Sequence, residues 1–271
     1  MTDDSTSPAG GNAADERPRR RPWWQLYEAN SLVGLAFAGM LWVVAFSAYL
    51  MAPQDDYQVG QASAPAVIGF LILGLIVVAL VVGITIMFGA SVREVRRRLG
   101  FTRPRGRAGW RWAWILVAIG LGIVIRMELV PAIGDLWPSI KIQSDAQRAA
   151  DDLRDLQLAA PAWMVWTHAA GEELIFRCPV VAAAVWAFGD GPLRWRQVPR
   201  VCVAVVAAVV AVTSVLFGLA HVEFSWYNVA AAGVMGLACA VVAVVTRSIW
   251  PAAALHAAYN TFSIASMTRL W

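Results

Sequence analysis
Charge is scarce in this sequence. Only 15% of its 271 residues are Asp, Glu, Lys or Arg, whereas a soluble domain carries about 25%. Long stretches hold no charge at all, among them Leu32–Ala52, Ala66–Ala90 and Val201–Ala220. A helix needs roughly 20 apolar residues to cross the hydrocarbon core. Each block is long enough, and none has the polar stripe of a surface helix. Paired cysteines are missing too. Cys178, Cys202 and Cys239 sit inside apolar blocks without CxxC spacing, which argues against a disulfide framework or a thiolate metal site and for small buried residues. Lysine is reduced to Lys141. There is no internal repeat, no HExxH and no cleavable signal-peptide pattern.

What is present is a succession of apolar segments. Helices are expected at about 31–52, 65–90, 110–134, 159–188, 200–221, 226–246 and 249–269. The fold class is therefore all-α, a polytopic membrane bundle of about seven transmembrane helices. Residues 1–30 are polar and rich in Pro, Gly, Asp and Arg, and read as a disordered cytoplasmic tail. Residues 31–271 read as the membrane-embedded domain. Segment 143–158 is polar with scattered leucines, and reads equally as a short surface helix or a solvated loop.

The net charge of +4 is unevenly spread. Arg17, Arg19, Arg20 and Arg21 close the tail, eight arginines fall between Arg93 and Arg111, Arg194, Arg196 and Arg200 follow the fourth helix, and Arg247 separates the last two. Beside membrane spans such clusters are topology signals rather than nucleic-acid sites. With seven spans all four lie on one side, the cytoplasm, which puts the N-terminus inside and the C-terminus outside. Trp110, Trp112, Trp114, Trp226, Trp250 and Trp271 fall near expected helix ends, as an aromatic belt requires. The lipid bilayer is thus the first partner, and no nucleic acid is expected.

Ionisable residues inside spans are costly and are functional candidates by default. Here they are Arg126 and Glu128 in the third helix, His168, Glu172, Glu173 and Arg177 in the fourth, His221 closing the fifth and followed by Glu223, and His256, with Asn260, in the seventh. Glu173 and Arg177 are i and i+4, so they share a face and can pair. Pairing lets both charges survive burial. Glu172 is turned about 100° away. It is left without that cation, the situation of a carboxyl suited to act as a general base. Phe217 and His221, and His256 and Asn260, are likewise one turn apart. A polar cluster serving only helix packing is the plain structural alternative.

Glu172-Glu173-xxx-Arg177, Phe217-xxx-His221 and His256-xxx-Asn260, in this order on successive helices, resemble the CPBP family of intramembrane proteases, also called the CAAX protease and bacteriocin-processing, or Abi, family. The resemblance covers about residues 159–265. It implies a helical membrane bundle with a water-accessible cavity and an endopeptidase acting on membrane-associated or lipidated, CAAX-like protein substrates. It implies that Glu172 activates water, that His221 positions it, that His256 and Asn260 hold the oxyanion, and that Glu173, Arg177 and Phe217 are structural support. No cofactor is expected. The alternative is zinc held by Glu172, His221 and His256, a two-His, one-carboxylate set. Two other functions compete: a catalytically silent immunity or scaffold protein of the same fold, and a proton-coupled transporter using Glu172 and Glu173 as a relay, for which the inverted repeat common in such folds is missing.

Overall fold
The structure is a computed structural model. It describes residues 91–105, 108–138, 162–189, 195–221 and 226–267, together with Ala79 and Gly83. The tail 1–30, the expected helices 31–52 and 65–90, segment 143–158 and Glu223 lie outside the described residues. Within them the chain is all helical. Helix α1 is Val92–Arg98 and α2 is Ala108–Val124, followed by a π turn over Ile125–Leu129 and by α3, Val130–Leu136. Then come α4, Ala162–Phe188, a 3-10 turn at Trp195–Gln197, α5, Arg200–Leu219, α6, Trp226–Thr246, and α7, Ile249–Met267.

Among the described residues three continuous segments are long and apolar enough to cross a membrane: Trp110–Leu136, Arg200–Leu219 and Trp226–Thr246. The chain is an integral membrane protein built as a helical bundle. Helices α4 and α7 are of spanning length, 27 and 19 residues, but carry the polar side chains that the bundle encloses. The core joins Val180, Val181 and Ala184 of α4, Phe217 of α5, Met235 and Cys239 of α6, and Leu255 of α7. The cysteines Cys178, Cys202 and Cys239 are buried, as their apolar surroundings suggested. Trp110, Trp112, Trp226 and Trp250 are exposed near helix ends, where an aromatic belt would hold them.

Helix α1 was not expected inside the arginine-rich loop. Its residues nevertheless carry start and stop signals. The Ser91 hydroxyl accepts from the Glu94 amide at 3.2 Å, a side-chain N-cap. At the other end Gly100 takes φ +79°. The Phe101 amide returns to the Arg96 carbonyl at 2.9 Å and the Gly100 amide to the Arg97 carbonyl at 3.2 Å, which is a Schellman ending. Gly100 also lies tight against Val181 and Ile249, where a Cβ would meet methyl carbons at 3.0–3.1 Å.

The π turn has a local cause as well. Pro131 has no N–H to offer the preceding turn. The ladder widens there, with the Val130 amide bonding Ile125, five residues back. This turn carries Arg126 and Glu128. Arg126 donates through Nε to Ser263 Oγ of α7 at 2.8 Å, which ties the π turn to another helix. Glu128 instead is exposed.

Candidate active site
The middle of α4 supplies the acid groups. Arg177 Nε donates to Glu173 Oε2 at 2.8 Å, with both side chains 0% exposed. The i, i+4 pair read from the sequence is therefore formed, and it is completely buried. Two exchanges make that tolerable. His256 Nδ1 lies 3.0 Å from Glu173 Oε1. Because a carboxylate only accepts, this nitrogen carries the proton and donates. The Arg177 guanidinium carbon lies 5.1 Å from the centroid of the Phe217 ring and 6.0 Å from that of Phe176, within the range of a cation–π contact. Glu173, Arg177 and His256 thus tie α4 to α7 through one buried network.

Phe217 is the apolar hub of this network. It is fully buried and meets Phe176 edge-on at 5.0 Å, His256 edge-on at 5.6 Å and His221 at 4.9 Å. Helix α6 can pass behind it because residue 236 is glycine. A Cβ there would stand 3.1 Å from the Phe217 ring. The Phe217-xxx-His221 spacing has a second consequence at the end of α5. The His221 amide turns to the Gly218 carbonyl at 2.9 Å, which leaves the Phe217 carbonyl without its regular helical donor. His221 Nδ1 takes that place, donating at 2.8 Å. The imidazole is held by its own helix end.

Glu172 faces differently from Glu173, as the helical periodicity requires, but it is not isolated. His168 Nε2 lies 2.9 Å from its Oε1, and His256 Nε2 lies 3.5 Å from its Oε2. The Arg177 cation is left to Glu173, as the spacing implied, but Glu172 has two imidazole neighbours. The reason is local: His168 stands four residues before Glu172, the same one-turn spacing that joins Glu173 to Arg177. His168 falls outside the three motifs. The i, i+4 rule applied backwards from Glu172 finds it. His168 is also half-exposed while Glu172 is buried, so this histidine links the carboxylate to the rim.

The fold therefore gathers Glu172, Glu173 and Arg177 from α4, Phe217 and His221 from α5 and His256 from α7, and it adds His168 and Phe176. Asn260 lies one turn beyond His256 on α7 and is partly buried, with no hydrogen bond to the gathered residues. Among the described residues no group of three or more His, Cys, Asp or Glu side chains is arranged to hold a metal ion.

Residues 155–262 match the family model described as type II CAAX prenyl endopeptidase Rce1-like. The match covers the three motifs and the helices that carry them, so the resemblance read from those motifs stands. No curated protein and no solved structure matches the chain.

Proposed function
With residues 155–262 an Rce1-like domain inside an apolar helical bundle, we propose that the protein is an intramembrane endopeptidase. It hydrolyses peptide bonds of membrane-associated or lipidated, CAAX-like protein substrates by a glutamate-activated water. The observation that carries this reading is the pair of environments on α4. Glu173 is committed to Arg177 and His256, whereas the ion-pair neighbours of Glu172 among the described residues are imidazoles, at 2.9 and 3.5 Å, groups that can pass protons on. In this reading water adds to the scissile carbonyl carbon and gives its proton to Glu172, which returns it to the departing amine. His168 orients the Glu172 carboxylate. His221, its Nδ1 committed to the Phe217 carbonyl, positions the water through Nε2. The oxyanion is met by Asn260 and by His256, which, with Nδ1–H held by Glu173, donates through Nε2 only as the imidazolium. Donors borne on packed helices in a low-dielectric interior are preorganised for such a charge.

The basic face, with Arg97, Arg105, Arg196 and Arg247, is assigned to the cytoplasm together with the N-terminus. The reaction as proposed needs no metal. Purified protein is expected to keep its turnover after exhaustive chelation. One equivalent of zinc, reversibly required, would overturn that part and make Glu172, His221 and His256 the ligands.

The deciding experiment compares membrane-protein termini in cells making the natural protein and Glu172→Gln. New C-terminal fragments are expected with the natural protein only, while both proteins insert and fold. Normal turnover by purified Glu172→Gln would sink the assignment of the base. A natural protein that generates no new termini would favour the scaffold reading.

A further inference from the structure
We infer that Arg105 and Arg247 form a phosphate-binding site at the basic end of the bundle, outside the protease cluster and placed to take the headgroup of an anionic phospholipid.

The inference starts from Arg247. It occupies the two-residue turn between α6, which ends at Thr246, and α7, which begins at Ile249. It is only 3% exposed, yet its Nε and Nη2 have no hydrogen-bond partner. Buried guanidinium hydrogens normally find acceptors, and Arg247 is held so that two of its donors meet none from the protein. Its charge sits over the Phe188 ring, 5.8 Å from the centroid. Arg105 reaches the same place: its Nη2 donates to the carbonyl of Gly189, the next residue, at 3.1 Å. Two guanidinium groups from different segments thus meet at the end of α4. Their proximity has an electrostatic signature. Burial, and then the charge of Arg105, hold the Arg247 guanidinium down at about 10. Burial, and then Arg97, lower that of Arg105. The nearby carboxylate on α1, Glu94, is taken by Arg97 and Arg98.

The platform is rigid. The Ile249 amide donates to the Gly100 carbonyl at 3.1 Å and the Arg105 amide to the Thr246 carbonyl at 3.3 Å, and the Ser248 hydroxyl donates to the Thr102 carbonyl at 2.7 Å. The unpartnered Nε and Nη2 of Arg247, beside a second guanidinium, suit an anion. Guanidinium forks suit phosphate oxygens better than a point charge does. The depth favours a lipid as its carrier. Arg247 lies where two apolar helices end, and Trp250, 47% exposed and edge-on to Phe101 at 6.5 Å, marks the interface beside it. Basic pockets between membrane helices on the cytoplasmic side are a recurrent headgroup site.

The test uses the purified full-length protein in detergent. Phosphatidylglycerol, phosphatidylcholine and inorganic phosphate are titrated separately, and binding is read by native mass spectrometry and by the shift in unfolding temperature. Phosphatidylglycerol should bind more tightly than phosphatidylcholine, and Arg247→Gln and Arg105→Gln should each weaken it about tenfold or more, the scale of a charged hydrogen bond. Arg247→Lys should retain part of the binding. Because Arg247→Gln can fail to fold, Arg105→Gln alone is sufficient. Inorganic phosphate that binds the natural protein but not the variants, with no preference between the lipids, keeps the phosphate site and makes the free ion its occupant. Binding of neither, or binding unchanged in both Gln variants, overturns the inference. So does Asp190→Asn if it destabilises the protein as much as Arg247→Gln, because Arg247 would then be one half of a structural ion pair. Asp190 lies outside the described residues.

Discussion
The middle of α4 buries Glu173 and Arg177 completely, whereas the π turn at Ile125–Leu129 keeps Glu128 at the surface and joins Arg126 to a serine hydroxyl of α7. Both are charged pairs set in apolar helices. The difference is spacing. At i and i+4 the two side chains lie on one face and neutralise each other, and His256 fills the remaining acceptor on Glu173. At i and i+2 they point apart, so each needs a separate solution. A charge pair at one-turn spacing can become part of a core, and one at half that spacing cannot.

Breaking the buried pair should have the largest effect. Glu173→Gln leaves Arg177 enclosed without its carboxylate, and losing one partner of such a pair costs about 3–5 kcal/mol. Arg177→Met should cost about as much, and the double variant should recover most of the loss. Unfolding of the detergent-solubilised proteins would show it. If the double variant is no better than the sum of the singles, the pair is not the source of the effect.

The next effect falls on catalysis and sharpens the contrast between the two glutamates. If His256 and Asn260 donate to the oxyanion, His256→Ala and Asn260→Ala should each lower kcat about 10²–10³-fold. KM should change little for Asn260→Ala, because the interaction belongs to the transition state. His256→Ala should in addition lower stability, since His256 also bonds Glu173. Steady-state kinetics beside unfolding measurements separates the two. An Asn260→Ala protein with natural kcat would remove Asn260 from the site.

The π turn should respond weakly. Arg126→Gln loses one hydrogen bond to Ser263, worth about 0.5–1.5 kcal/mol. Glu128→Gln, at the surface, should stay within about 0.5 kcal/mol. A Glu128→Gln cost equal to that of Glu173→Gln would break the comparison outright.

The smallest effect is expected at α1, where the charges lie outside the apolar helices. Burial raises the Glu94 carboxyl, but the hydrogen bonds and charges of Arg97 and Arg98 outweigh it and leave the group below its usual range. A carboxyl lowered in the folded state contributes stability that is complete above its unfolded value, about 4.3, and is lost as pH falls through the lowered one. Acid unfolding of Glu94→Gln should therefore differ from the natural protein above that range and converge with it below. The size should be a few tenths of a kcal/mol, about what an exposed helical pair contributes.

Helix positions were largely legible in the sequence, because long apolar runs leave little choice of element or of boundary. The expected helices at 200–221, 226–246 and 249–269 differ from α5, α6 and α7 by two residues at most. The pairing of Glu173 with Arg177 was legible for the same reason, since helical periodicity alone puts them on one face. The π turn was hidden because an apolar stretch with one proline looks like continuous helix. Helix α1 was hidden because its arginines read as a loop.

The sequence by itself determined a membrane-embedded, all-helical chain with its intramembrane ionisable residues on four helices, since hydropathy and i, i+4 spacing are local properties. Only the tertiary structure decided what those residues meet. His256 is 83 positions from Glu173, and nothing in either helix specifies that its two ring nitrogens face two different carboxylates. The same holds for Phe217 at the centre of four aromatic and cationic contacts, and for Arg105 and Arg247 beside Phe188 and Gly189. These depend on how closely and at what angle the helices pack, which is set by the summed fit of many apolar side chains and not by any one segment.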